Sequence, residues 1–199
     1  RVAENGIDSI NNSGVSGGAV FNGELYLAVD NFTDGVTIWK TGDGTDWDQV
    51  NTSGFGSIEN KVASGMAVLE GYLYAGTSNS DTGGQIWRYD GTNWEMVMAD
   101  GFGSLDNSMI RSLYTFKGML FSVTFNGDSG MQTWATRDGT TWHPLNTDGF
   151  GTPNNVHTMY SNASTAYNDL FYVGTVNWND GGEIWQYVGY PIYLPMINK

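Results

Sequence analysis

Met66-Ala67-Val68-Leu69, Glu70-Gly71, Tyr72-Leu73-Tyr74-Ala75-Gly76-Thr77, then Gln85-Ile86-Trp87-Arg88-Tyr89, Asp90-Gly91 and Trp94-Glu95-Met96-Val97 are apolar and aromatic segments separated by tight turns. Glu70-Gly71 and Asp90-Gly91 between such segments are hairpin signals, so the stretch reads as an antiparallel meander of four strands, a to d. The loop from Ser78 to Gly84 joins b to c, and no segment carries a helical period. The pattern recurs about every 47 residues. Trp39, Trp87, Trp134 and Trp185 stand 48, 47 and 51 apart. Trp47, Trp94 and Trp142 keep the same step, as do Gly54-Phe55-Gly56, Gly101-Phe102-Gly103 and Gly149-Phe150-Gly151. Such a period with strand-like composition predicts an all-β propeller of about four four-stranded blades, each repeat being one blade that cannot bury its faces alone.

The repeat makes residues 1–189 one domain, with blades near 17–64, 65–111, 112–158 and 159–189 plus 1–6, and leaves 190–199 as an apolar tail. Val2-Ala3-Glu4-Asn5-Gly6 aligns with Val50-Asn51-Thr52-Ser53-Gly54, so the chain begins on an outer strand. That strand is expected to complete the last blade and close a four-bladed ring, which removes exposed sheet edges. The other account is four blades of a larger ring, or of an assembly sharing strands between chains. Arg1 opens the sequence without Met or a signal peptide, the expected mark of a processed form or an excerpt.

Composition excludes several classes. Eight basic against 21 acidic residues give a net charge of −13, which opposes phosphate binding and so nucleic acid. There is no cysteine and only two histidines, His143 and His157, so disulfides and Cys₄ or His₃ zinc sites are excluded. No run approaches 18 apolar residues, so no membrane-spanning helix is expected.

Thr136-Arg137-Asp138-Gly139-Thr140-Thr141-Trp142 resembles the Asp-box of sialidase-type propellers, one residue shorter between Asp and Gly, and two other blades carry the same turn. The Gly-Gly-x-Ile-Trp segment is more loosely similar to kelch-like blades. The resemblance implies a hairpin in which Asp bonds the backbone turn, Trp packs in the blade, and the motif lies opposite the active face. Sialidases bind the substrate carboxylate with three arginines. Here only Arg1, Arg88, Arg111 and Arg137 exist, and Arg88 and Arg137 fall on the Asp-box side.

In a meander the d–a and b–c loops share one face. An Asn lies six residues after the first Gly of each d–a loop (Asn12, Asn60, Asn107, Asn155) and eight before the first Trp in each b–c loop (Asn31, Asn79, Asn126, Asn177). Asp34, Asp81, Asp128 and Asp180 stand beside a Gly in the same loops. These groups suit sugar hydroxyls or Ca²⁺, the one cofactor considered; equally, Asn and Asp tie such loops to their own backbone. Residues that break the repeat are better candidates for a ligand site. Phe32, Phe125 and Trp178 offer rings for stacking a sugar, with Asn31, Asn126, Asn177 and Asp180 beside them. Arg111 and His157 fall on or before inner strands where other blades have Ser or Val. Asn162 and Asn31 are the candidate glycosylation sites.

The expected function is a secreted or cell-surface, non-enzymatic binding protein, lectin- or adhesin-like, recognising a glycan or cell-surface protein. A structural subunit of an extracellular filament or surface layer, self-associating by strand exchange, is the alternative. A glycoside hydrolase drawing on Asp34, Asp128, Asp180 and Glu183 is the second alternative.

Overall fold

Four antiparallel sheets of four strands follow one another along the chain, each a simple meander. The computed structural model describes residues 7–157, 163–189 and the strand at 193–195. The first blade holds β1 (Asn12–Phe21), β2 (Glu24–Asn31), β3 (Thr37–Thr41) and β4 (Asp48–Gln49). The second holds β5 (Gly65–Leu69), β6 (Tyr72–Gly76), β7 (Ile86–Tyr89) and β8 (Trp94–Met98). The third holds β9 (Met109–Phe116), β10 (Met119–Phe125), β11 (Thr133–Thr136) and β12 (His143–Pro144). The fourth holds β13 (Ser164–Tyr167), β14 (Leu170–Gly174), β15 (Ile184–Tyr187) and β16 (Tyr193–Pro195).

The turns follow from residues that tolerate positive φ. Asn22-Gly23, Glu70-Gly71 and Lys117-Gly118 hold both central residues there, the geometry that matches strand twist. In the fourth blade Asn168-Asp169 does the same, beyond the longer stretch expected at 161–168. In the c–d turns Asp43 accepts backbone N–H bonds from Thr45 at 2.8 Å and Asp46 at 2.9 Å. Asp90 and Asp138 repeat the arrangement with Thr92 and Asn93, and with Thr140 and Thr141.

Those N–H donors hold the carboxyls below their usual range, Asp43 at about 2. A depressed folded-state pKa contributes stability that is present above the unfolded value of about 3.9 and is lost as pH falls toward the folded one. The melting temperature should therefore drop between about pH 4 and pH 2. In calorimetry the Asp43→Asn, Asp138→Asn pair should have a shallower drop; an unchanged slope would contradict this account of the turns.

Apolar seams join consecutive blades. Phe21, Tyr26, Ala28 and Ile38 of the first pack on Met66, Leu73, Ala75 and Tyr89 of the second. Ala67, Leu69, Tyr74 and Ile86 meet Ile110, Leu113 and Leu120 of the third. Phe121, Val123 and Ala135 meet Phe171, Val173 and Tyr187 of the fourth. Fully burying a large apolar side chain contributes about 1.5–3 kcal/mol, so these seams carry the fold.

The Gly-Phe-Gly motif serves the seams too. Phe55, Phe102 and Phe150 each sit in a 3-10 turn with positive φ and stack on the tryptophan of the next blade. The centroid distances are 4.7 Å to Trp87, 4.4 Å to Trp134 and 4.3 Å to Trp185. Left-handed backbone at a bulky residue costs about 1–2 kcal/mol, which the stacked ring offsets.

One expectation needs correction. The outer strand of the last blade is β16, antiparallel to β15 through Trp185↔Pro195, Gln186↔Leu194 and Tyr187↔Tyr193. The tail thus contributes a strand, and the edge reserved for residues 1–6 is already paired. Residues 1–6 themselves, and Asn162, lie outside the described residues.

Candidate functional site at the channel mouth

The four inner strands surround a cavity of about 410 Å³, lined by Ser16 and Leu27 of the first blade, Ser64 and Met66 of the second, Leu113 and Tyr114 of the third and Ser164 of the fourth. Ser64 and Ser164 of this lining stand at the ends of β5 and β13 that the d–a loops enter. The position just before each b–c asparagine is Asp30, Ser78, Phe125 and Val176 in the four blades. Each lies beside an inner strand. The Ser16 hydroxyl donates to Asp30, Ser78 bridges to Met109, and Val176 bridges to His157.

Asp30 is the chemically notable member. Burial pushes its carboxyl above the usual range, while the Ser16 hydroxyl and the Ala63 N–H act in the opposite direction. A carboxyl poised this way beside a cavity is a candidate acid–base group. The repeated columns do not announce it, because the aspartates shared by the b–c loops stand three or four residues later. The signal was there as a break in the column Asp30, Ser78, Phe125, Val176.

The structure brings three of the expected residues together, Phe125, His157 and Trp178. The rings of Phe125 and His157 lie 5.2 Å apart, and Trp178 meets His157 edge to face at 5.6 Å. Trp178 is 73% exposed while His157 is buried. Arg111 lies two residues along β9 from Met109, whose sulfur accepts its Nη1–H at 3.4 Å. Phe32 is exposed but stands apart, on the first blade.

The asparagines are placed differently. Asn31, Asn126 and Asn177 are buried, and each accepts two backbone N–H bonds from its own loop. Their amide nitrogens donate to Asn12, Asn107 and Asn155. These amides fasten the loops, and the Asn31 nitrogen that a glycan would need is already buried and bonded. Asp34, Asp81, Asp128 and Asp180 sit in four separate loops, one per blade. Asp34 accepts from Asn11 at 3.3 Å and Asp180 from Asn154 at 3.5 Å. Among the described residues no three His, Cys, Asp or Glu side chains come together as a metal site. Glu183 accepts from Asn155 and Trp185, both at 2.8 Å, which makes it a scaffold residue.

A second cavity of about 290 Å³ opens on the opposite face, lined by Met119, Arg137, Asp138, His143 and Tyr187. Its carboxylate, Asp138, is committed to the c–d turn.

No protein-family model matches the chain, and neither does any curated protein. Solved structures do share its fold. An α-L-arabinofuranosidase from Clostridium thermocellum superposes with a TM-score of 0.58 at 13% identity, over 92% of this chain and 71% of its own. A GH32 β-fructofuranosidase of Bombyx mori gives 0.55 at 12%, over 91% and 47%. The Bacteroides ovatus protein GH43B, of a xyloglucan locus, gives 0.52 at 13%, over 92% and 40%. The chain thus spans less than half the length of the last two. At these identities the likeness shows the fold, a β-propeller. The expectation of a non-enzymatic lectin or adhesin is corrected on this point: the three propellers named here, which share the fold over more than nine-tenths of the chain, are glycoside hydrolases.

Proposed function

We propose that the channel mouth is a carbohydrate-processing site of the glycoside hydrolase class, acting on an extracellular glycan. The observation that carries the reading is Asp30, a partly desolvated carboxyl that accepts from Ser16 of the cavity lining, in a propeller whose named structural neighbours are glycoside hydrolases. Hydrolysis of a glycosidic bond uses two carboxyls, one protonating the leaving oxygen and one assisting attack at the anomeric carbon. Asp30 is assigned the first role, since burial favours its protonated form. Asp34, at the tip of the same b–c loop, is assigned the second. The Phe125–His157–Trp178 cluster supplies the apolar face on which a sugar ring lies, and Arg111 supplies hydrogen-bond donors.

The test is release of nitrophenol from α-L-arabinofuranoside, β-D-xyloside and β-D-galactoside, with fructose release from sucrose alongside. Asp30→Asn should lower kcat at least about 100-fold with the melting temperature retained. Trp178→Ala should raise KM more than it lowers kcat. Turnover unaffected by Asp30→Asn, or no turnover on any of these glycosides, would overturn the reading.

A further inference from the structure

The two ends of the four-bladed arc expose surfaces that every other blade buries. Leu25, on the face of the first blade turned away from the second, is 37% exposed; its counterparts Leu73, Leu120 and Phe171 are 0% exposed. Ile184, on the far face of the fourth blade, is 57% exposed, against 0% for Ile38, Ile86 and Thr133. Tyr167 is 67% exposed where Phe21 and Leu69 are 2% and 3%. Apolar clusters join blades one to two, two to three and three to four, and among the described residues none joins four to one. A matching gap appears at Gly181. Its counterparts Gly35, Gly83 and Gly130 lie against the d–a loop of their own blade, whereas a Cβ at Gly181 would meet nothing within 4 Å.

The turn that leads into the first blade shows what belongs in the gap. Ile7 and Asp8 have positive φ, as Phe55 and Gly56 do in the corresponding turn. Asn12 donates to the Ile7 carbonyl at 2.9 Å and accepts from Asn31 at 3.0 Å, as Asn60 does from Asn79. Ile7–Asn12 is therefore built as an inter-blade loop, the kind that enters a blade from the outer strand of the one before. The residues ahead of it, Val2–Gly6, align in sequence with an outer strand.

We propose that the sector between the fourth and first blades receives one further four-stranded blade of the same repeat, a preceding repeat of the same polypeptide that runs into Ile7–Asn12. Its far face would meet Val20 and Leu25, and its near face Tyr167 and Ile184. Each meeting repeats one of the three existing seams. Ile7–Asn12 leads into the first blade from this sector, so a repeat that precedes it along the chain fits there better than a second copy. The inference is independent of the hydrolase reading, since it rests on the seams.

A copy of residues 7–48 placed directly ahead of Arg1 keeps the repeat in step and tests the proposal. The 199-residue chain should run as a 21.7 kDa monomer in light scattering and bind the apolar dye ANS. The extended chain should also be monomeric, with dye fluorescence reduced several-fold and a melting temperature higher by about 10 °C. Equal dye binding and melting in the two chains would overturn it, as would a dimer of the 199-residue chain that Ile184→Asp dissociates. Should the extended chain fail to fold, single substitutions decide. Leu25→Asp and Ile184→Asp should shift the melting temperature of the 199-residue chain by less than about 2 °C, whereas Leu73→Asp and Ile86→Asp should unfold it. Comparable losses at all four positions would mean that the ring closes on itself.

Discussion

Asn107→Ala should destabilise the protein by about 3–5 kcal/mol. The side chain is fully buried. Its amide nitrogen donates to the Gly101 carbonyl and to Gln132, both at 2.7 Å. Its oxygen accepts from Thr124 at 3.1 Å and from Asn126 at 3.0 Å. Truncation takes a partner from four groups. Gln132 Oε1 keeps Trp134, and Thr124 Oγ1 keeps the Gln132 backbone. The Gly101 carbonyl and the buried Asn126 amide lose their short bonds, at about 1–3 kcal/mol for each group left without a partner. Asn107→Asp should be about as harmful, because a carboxylate there faces the acceptors Gly101 O and Gln132 Oε1 instead of donating to them. Urea denaturation reads both. A loss below about 1 kcal/mol for either variant would contradict the view that this amide is the fastener between the second and third blades.

The second large effect is Gly130→Ala. Gly130 has φ +99°, and a Cβ there would stand 2.6 Å from Gly149 Cα and 2.7 Å from Gly149 N. Both contacts are to backbone, so no side chain can move aside. The collision and the left-handed conformation together should cost about 3 kcal/mol or more. Gly181→Ala is the internal control. It shares the conformation, with φ +93°, but has open space around it, so only the conformational term of about 1–2 kcal/mol remains. Equal losses at the two sites in thermal denaturation would show that the loop contact contributes nothing.

Much of the fold was legible because its determinants are local and repeated. Turns such as Asn22-Gly23 and Asp90-Gly91 fix the hairpins, and the tryptophan columns fix the blade step. The tail was not legible. Tyr193–Pro195 lacks the turn and tryptophan of the other outer strands, and only its pairing to β15 identifies it. The open sector was hidden for a different reason. Leu25 and Ile184 follow the same apolar pattern as their buried counterparts, and a pattern cannot reveal that the surface it needs is missing.

Of the residues that break the repeat, Phe125, His157 and Trp178 are gathered by the fold, while Phe32 stands apart. Asp30, the proposed acid, was not legible, since its pairing with Ser16 joins positions 14 residues apart that only the hairpin of β1 and β2 brings together. The asparagines, attractive for their regularity, are regular because every loop must satisfy the same buried backbone.

The most direct measurement of the central claim is affinity labelling with an epoxyalkyl glycoside, which esterifies a carboxyl lying at a bound sugar, followed by peptide mapping. The account predicts a label on Asp30 or Asp34 that free sugar protects and that Asp30→Asn diminishes. A protected label on Asp43, Asp90 or Asp138, on the opposite face, would contradict it, as would labelling that free sugar does not prevent.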